Sequence, residues 1–306
     1  MARVRLAGGG VSRNVQPEEV GMSGEKTALI VLNWNGARDT LACLASLTKV
    51  ESPAFTTLLV DNGSSDGTVG LVRQAFPQVE ILELPRNLGF AGGNNAGFAS
   101  LRGRGFDSVV FLNNDTVVDP GFLQPLLNEL QKPWVGIAAP KILYMDDPGR
   151  IWYAGGVLKP ATGLIEHTGI RQPDGPRFDA PKPVGYATGC CLAMRRRDFE
   201  AVGGFDERFR MYGEDVDLSM KIRERGLVVM YQPASRLWHR VSASSGGEMS
   251  LGKQLRKSGA AMTLFAKHGI FGGLLLYPLL LPLRTLFALL RFQLFRRASS
   301  QEREGA

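Results

Sequence analysis

Four apolar runs, each ending in polar residues, organise the first half of the chain. "TALIVLNWNG" (27–36) is unbroken apolar sequence up to Asn33, "FTTLLVDNGSSDGT" (55–68) repeats the pattern, "VEILEL" (79–84) shortens it, and "FDSVVFLNND" (106–115) closes the series. Continuous Val, Ile and Leu without alternation is the mark of a strand buried on both faces, and hence of a parallel sheet. Between the runs the period lengthens to that of a helix. Leu41, Leu44, Ala45 and Thr48 follow the first run, "VGLVRQAF" follows the second, and "GGNNAGFASLRGRG" opens a third. This alternation predicts an α/β fold, a mostly parallel central sheet flanked by helices.

Ligands of such sheets sit at the carboxyl ends of the strands. Here those ends carry Asn33, Trp34 and Asn35; Asp61 and Asn62; Arg86 and Asn87; and Asn113, Asn114 and Asp115. A buried strand needs none of them for stability, so their gathering at one edge is the first functional signal.

From about residue 141 the pattern turns to Gly- and Pro-rich sequence with short strands in "IWYAGGVL" and "PVGYATGCCLAMRR", read as an acceptor-facing half (141–245) folded onto a nucleotide-binding half (26–140). The stretch 166–183 reads as a long surface loop. "GIFGGLLLYPLLLPL" (269–283) is uncharged but shorter than the roughly 20 residues that span a bilayer, and Pro278 and Pro282 interrupt it. "RTLFALLRFQLFRR" (284–297) continues it as an apolar helix with Arg284 and Arg291 on one face. The tail 246–306 is expected to press onto an anionic membrane surface through 269–297; a helical hairpin on the protein's own core, or a homodimer contact, is the other reading.

Charge sharpens this division. The chain carries a formal +7, and residues 247–306 hold nine Lys or Arg against three Glu, so the main body is almost neutral. That excludes a nucleic-acid-binding surface there and leaves a basic, apolar tail. At 306 residues, 44% hydrophobic and 21% charged, the body has enough sequence for a sizeable core. Three Cys, with no CxxC, suit a reducing, cytoplasmic setting. Residues 1–25 are polar, Gly-rich and without a signal-peptide pattern; they are expected to be disordered, with Met22 a candidate start.

Several short motifs carry chemistry. In "FLNNDTVVDP" a carboxylate with amide neighbours just past a buried strand suits Mg²⁺ or Mn²⁺ together with substrate phosphates; an Asx-turn is the plainer account of Asp115. Asp61 can accept from a nucleobase N–H or a ribose hydroxyl, whereas Asp66 in "SSDGT" makes the turn. "PRNLGFAGGNNAG" brings Gly89, Gly92 and Gly93 into a helix start, where backbone N–H groups can hold phosphate. Neither GxGxxG nor GxxxxGK[ST] is spelled. "MYGEDVDLSM" places Glu214, Asp215 and Asp217 at another helix start, either as acids set against the helix dipole or as a proton acceptor.

Taken in order, "NWNG", "VDNGSSDGT", "NLGFAGGNN", "LNNDT", "IWYAGG", "ATGCCLAMRR", "VGGFDERF", "YGEDVDLSMKIRERG" and "WHRVSASS" resemble the family 2 glycosyltransferases of the GT-A fold, and more narrowly their rhamnosyltransferase-like branch. The resemblance runs from about 27 to 245. It implies an inverting, metal-dependent transfer from a dTDP- or UDP-sugar, rhamnose among the candidates, to a saccharide or lipid-linked acceptor in surface or cell-wall polysaccharide synthesis. Such work belongs at the cytoplasmic face of a membrane. Base and ribose are then expected near Leu32, Asn33 and Asp61, with Asn87 and Asn94 also among the donor contacts. Diphosphate and metal fall at Asn113, Asn114 and Asp115, where Asn stands first in place of the common D-x-D and removes one negative charge. His239 matches the position of a third metal ligand, suited to Mn²⁺. Asp215 becomes the general base, Glu214 orients it or the acceptor, and Asp217 remains the ordinary helix-start acid. Trp152, Tyr186 and Gly189 are expected as walls for the acceptor or the donor sugar. Two other classes stay open: a nucleotidyltransferase on a related sheet, and a catalytically inactive nucleotide-sugar-binding scaffold.

Overall fold

The computed structural model describes residues 26–283 apart from 52, 210 and 242–250. The expectations for 1–25, for 246–250 and for the apolar helix 284–297 lie outside the described residues. Elements alternate as the apolar runs require: β1 (Thr27–Asn33), α1 (Ala37–Leu47), β2 (Phe55–Asp61), α2 (Thr68–Ala75), β3 (Glu80–Glu83), α3 (Gly89–Ser100) and β4 (Ser108–Asn113). The second half follows with β5 (Thr116–Val118), α4 (Leu123–Leu130), β6 (Val135–Tyr144), β7 (Ile151–Tyr153), β8 (Gly156–Lys159), β9 (Leu164–His167), β10 (Lys182–Pro183) and β11 (Cys191–Arg195). It ends with α5 (Arg196–Ala201), α6 (Glu214–Glu224), β12 (Val228–His239) and α7 (Leu251–Lys267).

Eight strands run in the order β10-β12-β6-β11-β4-β1-β2-β3, with β5 added on β12 and β7 on β6. The β4-β1-β2-β3 side is wholly parallel, and its register sets Asn33 beside Asp61 and Leu32 beside Asn113. Strand β11 enters antiparallel between β4 and β6 and so joins the two halves into one sheet. Val, Ile and Leu of β1, β2 and β4 are buried almost without remainder, and the helices close over both faces.

Two departures from the sequence reading have local causes. The 166–183 stretch is pinned rather than loose: it includes the end of β9 and all of β10, and the fully buried Lys141 Nζ reaches Asp174 at 2.7 Å and Asp179 at 2.6 Å. Residues 271–283 are helical through Pro278 and Pro282, and this helix packs Leu274 and Tyr277 into a small cluster with Phe265 and Ile270. Among the described residues no helix is long and apolar enough to cross a membrane.

Candidate active site

At the carboxyl edge of the parallel strands the polar residues form a braced lattice. Asn33 is fully buried; its Nδ2 donates to Asp61 Oδ1 at 2.8 Å and to Ser64 Oγ at 3.0 Å. Its Oδ1 accepts from Thr40 Oγ1 at 2.8 Å and Asn114 Nδ2 at 3.0 Å. Asp61 Oδ2 accepts the Ser64 N–H, so the "DNGSS" turn folds back on its own strand end. The buried Asn33 side chain is thereby engaged on both its atoms, as a buried amide must be, and the half-buried Asn114 joins the edge through its Nδ2.

The glycine-rich loop is fixed in the same manner. Asn62 Oδ1 takes the Leu88 N–H at 2.8 Å, Asn62 Nδ2 gives to Asn87 Oδ1 at 3.1 Å, and Asn87 Oδ1 receives the Gly89 N–H at 2.7 Å at the start of α3. A Cβ at Gly93 would come within 2.5 Å of Leu32 Cδ1 and 3.1 Å of Asn62 Nδ2, so a larger residue there obliges the Leu32 side chain to shift. Asn94 is 1% exposed; its Nδ2 donates to the Phe90 carbonyl while Oδ1 is buried without a hydrogen-bond partner. Trp34 stands 50% exposed at the mouth of this edge.

Asp115 follows β4, in the turn into β5. Because β5 pairs with the end of β12, Thr116 lies opposite His239, and the Arg240 N–H donates to the Asp115 carbonyl at 2.9 Å. His239 Nε2 is 3.2 Å from Asp115 Oδ1, yet the pair is not aligned as a hydrogen bond, and both Asp115 Oδ1 and His239 Nδ1 are buried without a hydrogen-bond partner. The unpartnered Asp115 Oδ1 and the His239 Nε2 that faces it are an oxygen and an imidazole nitrogen side by side, atom types that suit a small divalent cation. Among the described residues no three His, Cys, Asp or Glu side chains converge, so Asn113 or substrate oxygens must complete any such site.

Asp215 sits on the first turn of α6. Its Oδ2 accepts the Gly189 N–H at 2.9 Å and its Oδ1 the Val216 N–H at 2.8 Å. Ser219, one turn on, accepts the Ala187 N–H, so α6 is laced to the segment entering β11. A Cβ at Gly189 would stand 2.9 Å from Phe90 Cζ and 3.6 Å from Asp215 Cβ, which makes Gly189 a cradle for both. Burial pushes the Asp215 carboxyl above the usual carboxylate range, against the pull of the two N–H donors. Glu214, 7% exposed, is pushed well above its usual range by burial and then by the neighbouring Asp215 charge, and its Oε2 has no hydrogen-bond partner.

The two acidic centres share one dipeptide. Gly189 N–H binds Asp215, and the Cys190 carbonyl accepts the Asn113 N–H at 2.9 Å, next to the Asp115 turn. Trp152 lies at the same place, its ring 4.4 Å from the His239 ring and 4.6 Å from that of His167. Sequence reasoning does not single out His167, whose ring is pushed down to about 3 by burial and then by Lys257, and is therefore neutral. Nothing in "LIEHTG" signals it. Tyr186 is only 3% exposed and packs with Phe209, Val216 and Phe265, so it backs the site. Asp217 is not the ordinary helix-start acid that the sequence suggests: it is fully buried and ion-paired to Lys267 and His268.

Comparison with known proteins identifies the family and the fold. The family model described as glycosyl transferase family 2 matches residues 28–203, and one described as the N-terminal domain of galactosyltransferase matches 176–241. The O-antigen biosynthesis protein RfbC of Myxococcus xanthus is 34% identical over 229 residues, covering 70% of this chain but 17% of that protein. The N-acetylglucosaminyl-diphospho-decaprenol L-rhamnosyltransferase of Mycobacterium tuberculosis is 33% identical over 224 residues, 66% of this chain and 72% of that one. Among solved structures, GalNAc-T7 with UDP, GalNAc and Mn²⁺ superposes with a TM-score of 0.60 at 17% identity, covering 77% of this chain and 47% of that one. The Pyrobaculum calidifontis mannosyltransferase PcManGT with GDP-Man and Mn²⁺ gives 0.58 at 18% identity, covering 90% of this chain and 75% of that one. The chain belongs to glycosyl transferase family 2, carries the GT-A fold, and within the family resembles the rhamnosyltransferase-like branch.

Proposed function

We propose that the protein is an inverting, metal-dependent glycosyltransferase that moves a sugar, rhamnose first among candidates, from a dTDP- or UDP-sugar to a saccharide or lipid-linked acceptor in surface or cell-wall polysaccharide synthesis. The observation that carries this is the shared dipeptide Gly189–Cys190, which sets the Asp215 carboxylate beside the Asp115 turn. This supports a proton acceptor at one acid and a diphosphate end at the other. The acceptor class also draws on the lipid-linked substrate in the name of the mycobacterial relative.

In this reading Asp61 takes the base or ribose on the lattice braced by Asn33, Asn62, Asn87 and Asn114, with Leu32 and Asn94 beside it and the exposed Trp34 face available for stacking. Asp115 and His239, with Asn113, would hold a Mn²⁺ or Mg²⁺ ion, which when bound neutralises charge building on the departing diphosphate. Asp215 removes the proton from the acceptor hydroxyl as that oxygen bonds to the anomeric carbon. The bond to the nucleoside diphosphate breaks on the opposite face, and the configuration inverts. Glu214, held neutral by burial, keeps a second negative charge away from the base. Trp152 and Gly189 wall the sugar between the two centres.

The tail gives the protein a surface on which to meet a lipid-linked acceptor. Phe271, Leu275, Leu279 and Leu283 recur every fourth residue along the helical stretch 271–283 and are each 66–74% exposed. Arg284, Arg291, Arg296 and Arg297 follow in the sequence. An apolar face followed by cations suits peripheral association with the anionic cytoplasmic leaflet.

Incubation with a panel of dTDP- and UDP-sugars, a lipid-linked acceptor extract and Mn²⁺ or Mg²⁺ tests the proposal, following nucleoside diphosphate release and the anomeric configuration of the product. Chelator-sensitive release with inversion is expected. Retention of configuration, or no release with any donor, defeats it.

A further inference from the structure

Helix α6 carries Asp215 on one face and two other carboxylates on the opposite one. At about 100° per residue, Asp217 and Glu224 lie roughly half a turn round from Asp215 and two turns apart from each other. A single imidazole bridges them: His268 Nε2 is 2.8 Å from Asp217 Oδ1, and His268 Nδ1 is 2.8 Å from Glu224 Oε1. Lys267, the last residue of α7, reaches Asp217 Oδ1 at 2.6 Å and Asp206 Oδ2 at 2.7 Å. Asp217 is fully buried, and the His268 side chain is only 4% exposed.

A ring with a carboxylate on each nitrogen must donate from both, and is therefore an imidazolium. Lys221 approaches the other Asp217 oxygen at 3.5 Å, and Arg208 shares Asp206, so the groups around the ring are Asp217, Glu224 and Lys221 of α6, Lys267 of α7, and Asp206 and Arg208 of the preceding loop. A buried carboxylate held by two cations fixes its helix in rotation and in register, and breaking one partner leaves charge uncompensated. On the other face the Gly189 N–H ties Asp215 to the segment entering β11, and a hydrogen bond of 2.9 Å cannot follow a shifted helix.

We infer that Lys267 and His268 are positioning residues: they clamp α6 from behind, so that Asp215 stays aligned with the acceptor. This rests on the reading of Asp215 as the base. Linkage sets the direction. A histidine whose bound form is favoured by Asp217 and then Glu224 holds its proton above its ordinary range. The stabilisation is therefore fully present below the ordinary imidazole range and is lost as the pH rises through the raised value, and activity is expected to fall with it.

The test compares wild type with His268→Gln, Lys267→Met and Lys267→Arg, measuring kcat and donor KM over pH with dTDP-rhamnose or whichever panel donor is turned over, and hydrogen exchange across 214–224 at fixed pH. Since a misplacement of about 1 Å can cost on the order of 10²-fold, His268→Gln and Lys267→Met are expected to lower kcat at least about 10-fold with donor KM little changed. Lys267→Arg, which keeps the charge, should stay near wild type. The alkaline limb of kcat should vanish in His268→Gln, and amides of α6 should exchange faster while those of α3 do not. Hydrogen exchange needs no donor and reads the clamp directly. Variants with unchanged kcat, pH profile and α6 exchange, differing only in melting temperature, overturn the inference. An active Asp215→Asn overturns it together with the base assignment, whereas an inactive Asp215→Asn beside unaffected clamp variants overturns the clamp alone.

Discussion

Replacing Asp215 by Asn separates its chemistry from its structural role. The carboxylate accepts two backbone N–H groups, from Gly189 at 2.9 Å and Val216 at 2.8 Å. An amide offers one oxygen, so one of these donors then faces an NH₂ group, and losing a hydrogen bond to a charged acceptor costs about 1.5–3 kcal/mol. Against this, the substitution removes a half-buried charge beside the buried Glu214, and burial already holds both carboxyls above their usual range. The two effects oppose each other and are of similar size, so the net change at neutral pH is expected within about 1–2 kcal/mol of zero. Activity behaves differently, because removing a general base costs roughly 10²–10⁴-fold, or about 3–5 kcal/mol of barrier. Linkage fixes the pH trend. A raised native-state carboxyl makes wild type lose stability as pH rises from the ordinary carboxylate range through the raised value. The Asp215→Asn variant has no such loss, so its stability relative to wild type is greatest at neutral pH and shrinks on acidification. Nucleoside diphosphate release, with thermal melts at pH 5 and pH 7.5, reads both sides. Turnover at the wild-type rate, or inactivity accompanied by global unfolding, refutes the reasoning.

Further outcomes follow from other contacts. His239→Ala should raise the Mn²⁺ concentration for half-maximal binding, read by electron paramagnetic resonance without substrate, by at least about 10-fold, and unchanged binding would remove His239 from the site. Asp174→Asn with Asp179→Asn leaves Lys141 buried without a counter-charge and is expected to lower the denaturant midpoint of unfolding. An unchanged midpoint would show that Lys141 does not depend on these carboxylates. Leu275→Ser with Leu279→Ser should abolish flotation with vesicles rich in anionic lipid while changing stability by less than about 1 kcal/mol, because both side chains are more than two-thirds exposed. Flotation equal to wild type would argue for another role of this face.

The strand ends are legible because burial on both faces leaves a simple trace: unbroken apolar residues up to the point where the chain leaves the sheet. Asn33, Asp61, Asn113 and Asp115 stand out against that trace wherever they point. Their division of labour is not legible. Asn33 and Asn114 read as donor contacts, and the sequence does not show that they also brace the edge: Asn33 is buried and its amide must find partners, which Asp61, Thr40 and Asn114 supply. Tyr186 reads as a wall, yet α7 and the helical stretch after it contribute the residues that bury its ring.

Periodicity and short-range spacing were enough to place the parallel strands, the helices between them and the edge at which polar chemistry gathers, since these depend on residues close along the chain. Which neighbours each acid meets came from the fold alone. Glu214, Asp215 and Asp217 are nearly equivalent as sequence, but α6 turns them toward different neighbours: Asp215 to Gly189, Asp217 to Lys267 and His268 some fifty residues later. The insertion of β11 between β4 and β6, which brings Asp215 to the Asp115 turn, likewise depends on strand pairing across long separations. A carboxylate's proton affinity depends on burial and on the charges within a few ångströms of it, and those distances are properties of the folded chain.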